Sequence, residues 1–125
     1  MDGVRWVNDA FNANPDSTRA AIDWLAEVAA DAPKFLLLGD MLELGESSAQ
    51  SHLDILRHAL KKCPDATLMT VGPRMKAAVA ELAGAAIGNV ADASAAADWL
   101  KTQSLAGAWV LLKSSHGIGL AKLCP

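Results

Sequence analysis

Val7-Asn8-Asp9-Ala10-Phe11-Asn12-Ala13-Asn14-Pro15-Asp16-Ser17 is the stretch on which the reading of this chain turns. It runs from the end of a strand through a tight polar loop into a helix. Val4, Trp6 and Val7 suit a pleated strand. Asn14 is a good N-cap, because its side-chain oxygen can accept an orphan N–H of the first helical turn. Pro15 follows where a missing N–H costs nothing, and Asp16 complements the helix dipole. From Thr18 the apolar residues Ala21, Ile22, Leu25 and Ala29 recur at helical spacing. A strand feeding a helix through Asp-x-x-Asn-x-Asn sets polar groups at the carboxyl end of a sheet, where open α/β sheets bind ligands. The plainer alternative is that both asparagines only shape the turn and cap the helix.

Outward from this unit, strand and helix patterns alternate. Lys34-Phe35-Leu36-Leu37-Leu38 is a short apolar run suited to a strand buried on both faces. Gly39-Asp40-Met41-Leu42-Glu43-Leu44-Gly45-Glu46 follows, and Ser48 is placed to cap a helix carrying Leu53, Leu56 and Leu60. Residues 66–71 read as a third strand, and Gly72-Pro73 turns into a helix with Met75, Ala78, Val79 and Leu82, closed by Gly84 at C′. Residues 85–90 form a weaker fourth strand, and Asp92 or Ser94 caps an alanine-rich helix ending near Gln103. Ala108-Trp109-Val110-Leu111-Leu112 is the last strand, followed by Lys113-Ser114-Ser115-His116-Gly117-Ile118-Gly119 and a short terminal helix. This alternation predicts a Rossmann-like, mostly parallel sheet of five or six strands with helices on both faces.

The 125 residues suffice for one domain with its own core, spanning 1–125. No apolar run approaches the length of a membrane span, and Met1-Asp2-Gly3-Val4-Arg5 does not resemble a signal peptide. A net charge of −3 with dispersed signs gives no nucleic-acid stripe. Cys63 and Cys124 stand far apart without metal-ligand spacing, which suits two reduced thiols in a cytoplasmic protein. No metal site is expected, since His52 and His58 fall on different faces of their helix. His58 reads as a surface residue. His52 either lines the cleft side of its helix or covers the edge of the core.

Three loops converge at one sheet edge in this layout. The first offers Asp9, Asn12 and Asn14 to ribose hydroxyls or a base edge. The second offers Asp40 beside Gly39, facing the cleft, with Glu43, while Glu46 reads as a solvated charge. The third offers Lys113 as a point charge for a carboxylate or phosphate, and Ser115 with nearby N–H groups as an anion nest. Neither a P-loop nor a Gly-x-Ser-x-Gly elbow is present, so the chain reads as a ligand-binding part of something larger.

Residues 8–17, residues 37–45 with His52 beyond them, and residues 110–120 resemble, in order and spacing, the C-terminal domain of the Mur ligase family. The Gly-Asp-Met-Leu-Glu-Leu-Gly segment is similar to that of the member that uses D-alanyl-D-alanine. The resemblance implies one domain of a cytoplasmic, monomeric, three-domain enzyme of peptidoglycan synthesis. That enzyme uses ATP, with Mg²⁺ held mainly by the central domain, to join D-alanyl-D-alanine to UDP-N-acetylmuramoyl-tripeptide through an acyl phosphate. Met1 is then expected to be an artificial start. The resemblance assigns Asp9 to the ribose and Phe11, Asn12 and Asn14 to the nucleotide. Lys113 becomes the catalytic cation, with Asp40, Glu43, Ser115 and His116 toward the substrates. The chain departs from the family in having Phe11 for a common tyrosine, Ala10 for a serine or threonine, and Lys113-Ser114-Ser115-His116 for Lys-Gly-Ser-Arg. His116 thus replaces a permanent cation with a titratable ring. A folylpolyglutamate-synthase-like ligase and a non-catalytic nucleotide-binding module are the rival readings.

Overall fold

The computed structural model describes residues 3–9, 14–42, 44–115 and 118–123, with backbone alone at Asp9, Ala121 and Lys122. Its elements run β1 (Arg5–Asp9), α1 (Pro15–Val28), β2 (Lys34–Gly39), α2 (Ser48–Lys62), β3 (Thr67–Val71), α3 (Pro73–Ala80), β4 (Ile87–Val90), α4 (Ala93–Lys101) and β5 (Trp109–Lys113). A 3-10 turn at Gly45–Ser47 leads into α2, and another at Leu120–Leu123 follows β5. The sheet has the order β1-β5-β2-β3-β4, with every pairing parallel. The expected Rossmann-like architecture is present, with five strands among the described residues.

Side-chain alternation divides the core into two layers. Leu36, Leu38, Leu68 and Leu111 pack with Ile22 and Leu25 of α1, Ile55 and Leu56 of α2, and Met75 of α3. Phe35, Leu37, Met69, Val71, Val110 and Leu112 pack with Ala96 and Leu100 of α4 and with Leu120. Helices α1, α2 and α3 therefore cover one face, and α4 with the C-terminal turn covers the other. This explains why β2 is buried along its whole length and reads as a continuous apolar run.

Asn14 closes a capping box with Ser17: its Oδ1 accepts the Ser17 N–H at 2.8 Å, and Ser17 Oγ accepts the Asn14 N–H at 3.2 Å. The loop after α1 is tied by the buried Lys34, whose ammonium donates to Ala30 O and Ala32 O at 3.3 and 3.0 Å. Asp92 caps α4 by accepting the Ala95 N–H at 2.9 Å. Two expected caps differ. Ser48 is the first residue of α2 rather than its cap, and Ser47 occupies that position while donating its hydroxyl to Leu44 O at 2.9 Å. Helix α3 ends at Ala80, so Gly84 lies in the turn beyond its C-cap. Cys63 is a buried free thiol whose pKa is raised by burial, lowered in part by Lys34 and raised further by Asp23. Cys124 lies outside the described residues. No helix among the described residues is long and apolar enough to cross a membrane.

Gly39 ends β2 where the chain after β5 folds against it. A Cβ there would lie 2.6 Å from Ser114 Cβ and 3.2 Å from Ile118 Cγ2. Gly39→Ala is therefore expected to destabilise the domain by about 2 kcal/mol through overpacking. Denaturant unfolding checks this, and an unchanged midpoint would show that the segment yields freely.

Candidate functional site

The chain leaves β1 and β2 for helices on one face of the sheet, and leaves β5, which lies between them, for the other face. The connections diverge on both sides of β5, so its carboxyl end is a topological switch point, the place where open parallel sheets form ligand crevices. Asp9 and Leu38 are the register partners of Lys113 across the two pairings. The carboxyl ends of β1, β2 and β5 thus share one edge, as the alternation of elements predicts.

The segment after β2 is the hub of this edge. Three consecutive backbone N–H groups reach three different elements. That of Asp40 donates to Val71 O at the end of β3 at 3.0 Å. That of Met41 donates to His52 Nε2 on α2 at 2.9 Å, and that of Leu42 to Ser115 Oγ beyond β5 at 2.8 Å. Ser115 in turn donates its own N–H to Asp40 O at 3.1 Å. A fourth element joins through Thr18 of α1, whose hydroxyl meets Met41 Sδ at 3.7 Å. Such a segment has no freedom to shift one bond without straining the others.

Asp40 does not face the cleft as expected. It is 0% exposed, and its carboxylate accepts the N–H of Met75 at 2.8 Å and that of Arg74 at 3.1 Å. The helix it serves begins after Gly72, a cap residue without a side chain, so Asp40 supplies from a distance the acceptor that Gly72 lacks. A negative charge is also favoured at a helix N-terminus. Gly72 has φ +110, and a Cβ there would lie 2.5 Å from the Asp40 carboxyl carbon, so only glycine admits this approach. Arg74 adds a long contact from its guanidinium to Oδ2 at 3.5 Å, with the arginine side chain 48% exposed at the rim.

His52 belongs to the buried edge of the core rather than to the open cleft. It is 0% exposed, with Nε2 accepting from Met41 and Nδ1 donating to Ser48 O at 2.6 Å. Those two partners are satisfied together only by the Nδ1–H tautomer. His58 lies toward the surface, its Nε2 2.7 Å from Asp23 Oδ1 on α1.

Lys113 closes β5. The residue is 2% exposed, so its ammonium is enclosed rather than presented to solvent, and it is not without partners inside the chain. Ser115 is half-buried, and its N–H and Oγ both serve the hub, so the N–H expected for an anion nest is already committed to Asp40 O. The Asn14 side-chain oxygen is likewise engaged in the helix cap, as in the plainer of its two readings. Glu46 is exposed. Phe11, Asn12, Glu43 and His116, and the side chain of Asp9, lie outside the described residues. Among the described residues no group of three His, Cys, Asp or Glu side chains is placed to hold a metal ion.

Sequence reasoning missed Arg74 and the bond from Met41 to His52. The contacts run between residues 34 and 11 apart respectively, and no local pattern encodes either.

Residues 1–116 match the family model described as "Mur ligase, glutamate ligase domain". The UDP-N-acetylmuramoyl-tripeptide–D-alanyl-D-alanine ligase of Mycobacterium leprae is 35% identical over 98% of this chain and 27% of its own length. The ligase of the same name from Treponema pallidum is 35% identical over the same shares. Among solved structures, MurF from Acinetobacter baumannii superposes with a TM-score of 0.79 at 28% identity, covering 98% of this chain and 28% of that one. MurF from Thermotoga maritima in complex with ADP gives 0.74 at 25% identity, over 97% of this chain and 27% of that one. This chain thus spans about a quarter of the length of these relatives. A parallel sheet whose strands β1, β2 and β5 end together at the switch point, and a family match over residues 1–116, place the chain in the Mur ligase family as its glutamate ligase domain.

Proposed function

We propose that the protein to which this domain belongs joins D-alanyl-D-alanine to UDP-N-acetylmuramoyl-tripeptide at the expense of ATP. The observation that carries this reading is the 35% identity, over 98% of the chain, to ligases bearing that name. The ADP complex of the Thermotoga maritima relative supports nucleotide binding. In the proposed reaction the γ-phosphoryl group passes to the tripeptide's terminal carboxylate. The dipeptide amine then attacks that acyl phosphate, releasing phosphate, with ADP as the other product. An unfavourable amide synthesis is thereby divided into two accessible steps, in which positioning and charge stabilisation dominate.

Within this scheme the loop after β1, with Asp9, Phe11, Asn12 and Asn14, serves the nucleotide. The loops after β2 and β5, with Glu43, Lys113, Ser115 and His116, serve the acyl phosphate and the incoming amine. Asp40 and Ser115 act chiefly by holding those loops together, because their described groups are engaged within the hub. Mg²⁺ is not assigned here: the Asp40 carboxylate faces α3. The ion and the triphosphate loop belong to the remaining part of the protein. A monomeric, cytoplasmic enzyme follows from the same reading.

The test is an amine panel given to the full-length enzyme with MgATP and UDP-N-acetylmuramoyl-tripeptide. D-alanyl-D-alanine is expected to support phosphate release at least about a hundredfold better than single amino acids, because a lost charged contact at each missing group compounds. L-glutamate added to a folate in its place would favour the folylpolyglutamate-synthase-like alternative, and ATP binding without any turnover would favour a non-catalytic module.

A further inference from the structure

Besides Asp40, whose carboxylate caps α3, the hub contains one titratable side chain that the proposed chemistry does not use. His52 is wholly buried on α2, one helical turn beyond Ser48, and its Nε2 is the acceptor for the central N–H of the 40–42 segment. The bonds on either side of Met41 lead away in opposite directions. Asp40 holds β3 and the start of α3, while Leu42 holds Ser115, two residues beyond Lys113. A change at Met41 therefore reaches both the segment running into Glu43 and the chain that leaves β5 after Lys113. Ring orientation is itself fixed from behind, since Nδ1 donates to Ser48 O at 2.6 Å.

We propose that His52 is a positioning residue for the ligation step, acting through the Met41 N–H to hold the loops after β2 and β5 in one register. The inference rests on the ligase reading. It goes beyond that reading in assigning a role to a side chain buried beneath the cleft. Its physical basis is that displacement of reacting groups by about 1 Å costs on the order of a hundredfold in rate. A histidine that merely fills the core would lower stability without selecting one step.

The experiment uses full-length enzyme with His52→Leu, which keeps bulk but removes the acceptor, and His52→Gln, whose Oε1 reaches the place of Nε2. Steady-state kinetics are read well below each variant's melting temperature. Amide exchange at Met41, Leu42 and Ser115 is followed in parallel. His52→Leu is expected to lower kcat at least about tenfold while leaving KM for ATP within about twofold, and His52→Gln to recover most of the loss. Exchange at all three amides should rise together in His52→Leu and return in His52→Gln. Ser115→Ala, which frees the neighbouring N–H, should lower kcat as well. Combined with His52→Leu it should cost less than the product of the two effects, because both act on one segment.

Wild-type kcat in His52→Leu, or in Ser115→Ala if the first does not fold, would overturn the inference. Equal loss in His52→Leu and His52→Gln, with exchange unchanged, would overturn it too, by making side-chain shape the cause. A wild-type enzyme that does not ligate at all would overturn the ligase reading instead, so the two failures are distinguishable.

Discussion

Asp40→Ala is expected to destabilise this domain by about 3 kcal/mol, which for a domain of this size lowers the melting temperature by roughly 10 °C. The carboxylate is 0% exposed and accepts the first two N–H groups of α3 at 3.1 and 2.8 Å. Alanine would leave both donors without an acceptor, and the Gly72 cap offers none. Each charge-assisted bond contributes about 1.5–3 kcal/mol, and relaxation of the short helix recovers part of the sum. Asp40→Asn keeps one acceptor oxygen and is expected to lose about half as much. Arg74→Met should cost less than about 1 kcal/mol, because that pair is long and its arginine half-exposed. Calorimetric melting of the three variants checks the order. An Asp40→Ala melting temperature within a degree or two of wild type would show that α3 starts without this acceptor.

Lys113→Met in the full-length enzyme is expected to lower kcat by about a hundredfold, the scale of losing one preorganised charge at the reacting centre. The substitution keeps the stem, which packs at the end of an interior strand, and removes the ammonium. Burial bears on the role. At 2% exposure Lys113 is no solvated surface charge, and a cation in a water-poor position exerts a stronger field on charge developing nearby. Its place opposite Asp9, at the end of the strand flanked by diverging connections, sets it at the topological switch point. If the ammonium stabilises charge developing as the amine attacks, kcat falls while KM for D-alanyl-D-alanine changes little. If it anchors the dipeptide carboxylate throughout, KM rises with kcat intact. A point charge suits phosphate oxygens better than bidentate carboxylate recognition, so the first outcome is the expected one. Wild-type kcat at saturating substrates would exclude the catalytic role.

What was legible in the sequence follows from range. The capping box of Asn14 and Ser17, the Asp92 cap and the apolar runs of β2 and β5 are encoded within a few residues, and their element types are read correctly. The convergence of three loops follows from alternation alone, because parallel strands put every outgoing connection at one edge. The site's internal wiring was not legible. A buried carboxylate and a cleft-facing one look alike in Gly39-Asp40, and the difference lies in α3 beginning 33 residues later at Pro73, after a capless Gly72. Serine beside lysine and glycine fits an anion nest at Ser115, and no local pattern shows that its N–H and Oγ meet the backbone of residues 40 and 42. Polar residues at a sheet edge advertise hydrogen-bonding capacity. Whether that capacity is left for a ligand depends on contacts between strands distant in sequence.

The most direct test of the account compares ADP release by three proteins: the full-length enzyme, the same enzyme lacking this domain, and this chain alone. Each is given MgATP, UDP-N-acetylmuramoyl-tripeptide and D-alanyl-D-alanine. The account predicts that only the full-length enzyme releases ADP in step with ligated product, because the chain carries no P-loop and the remainder lacks the loops at the β5 switch point. Coupled turnover by either piece at the full-length rate would contradict it.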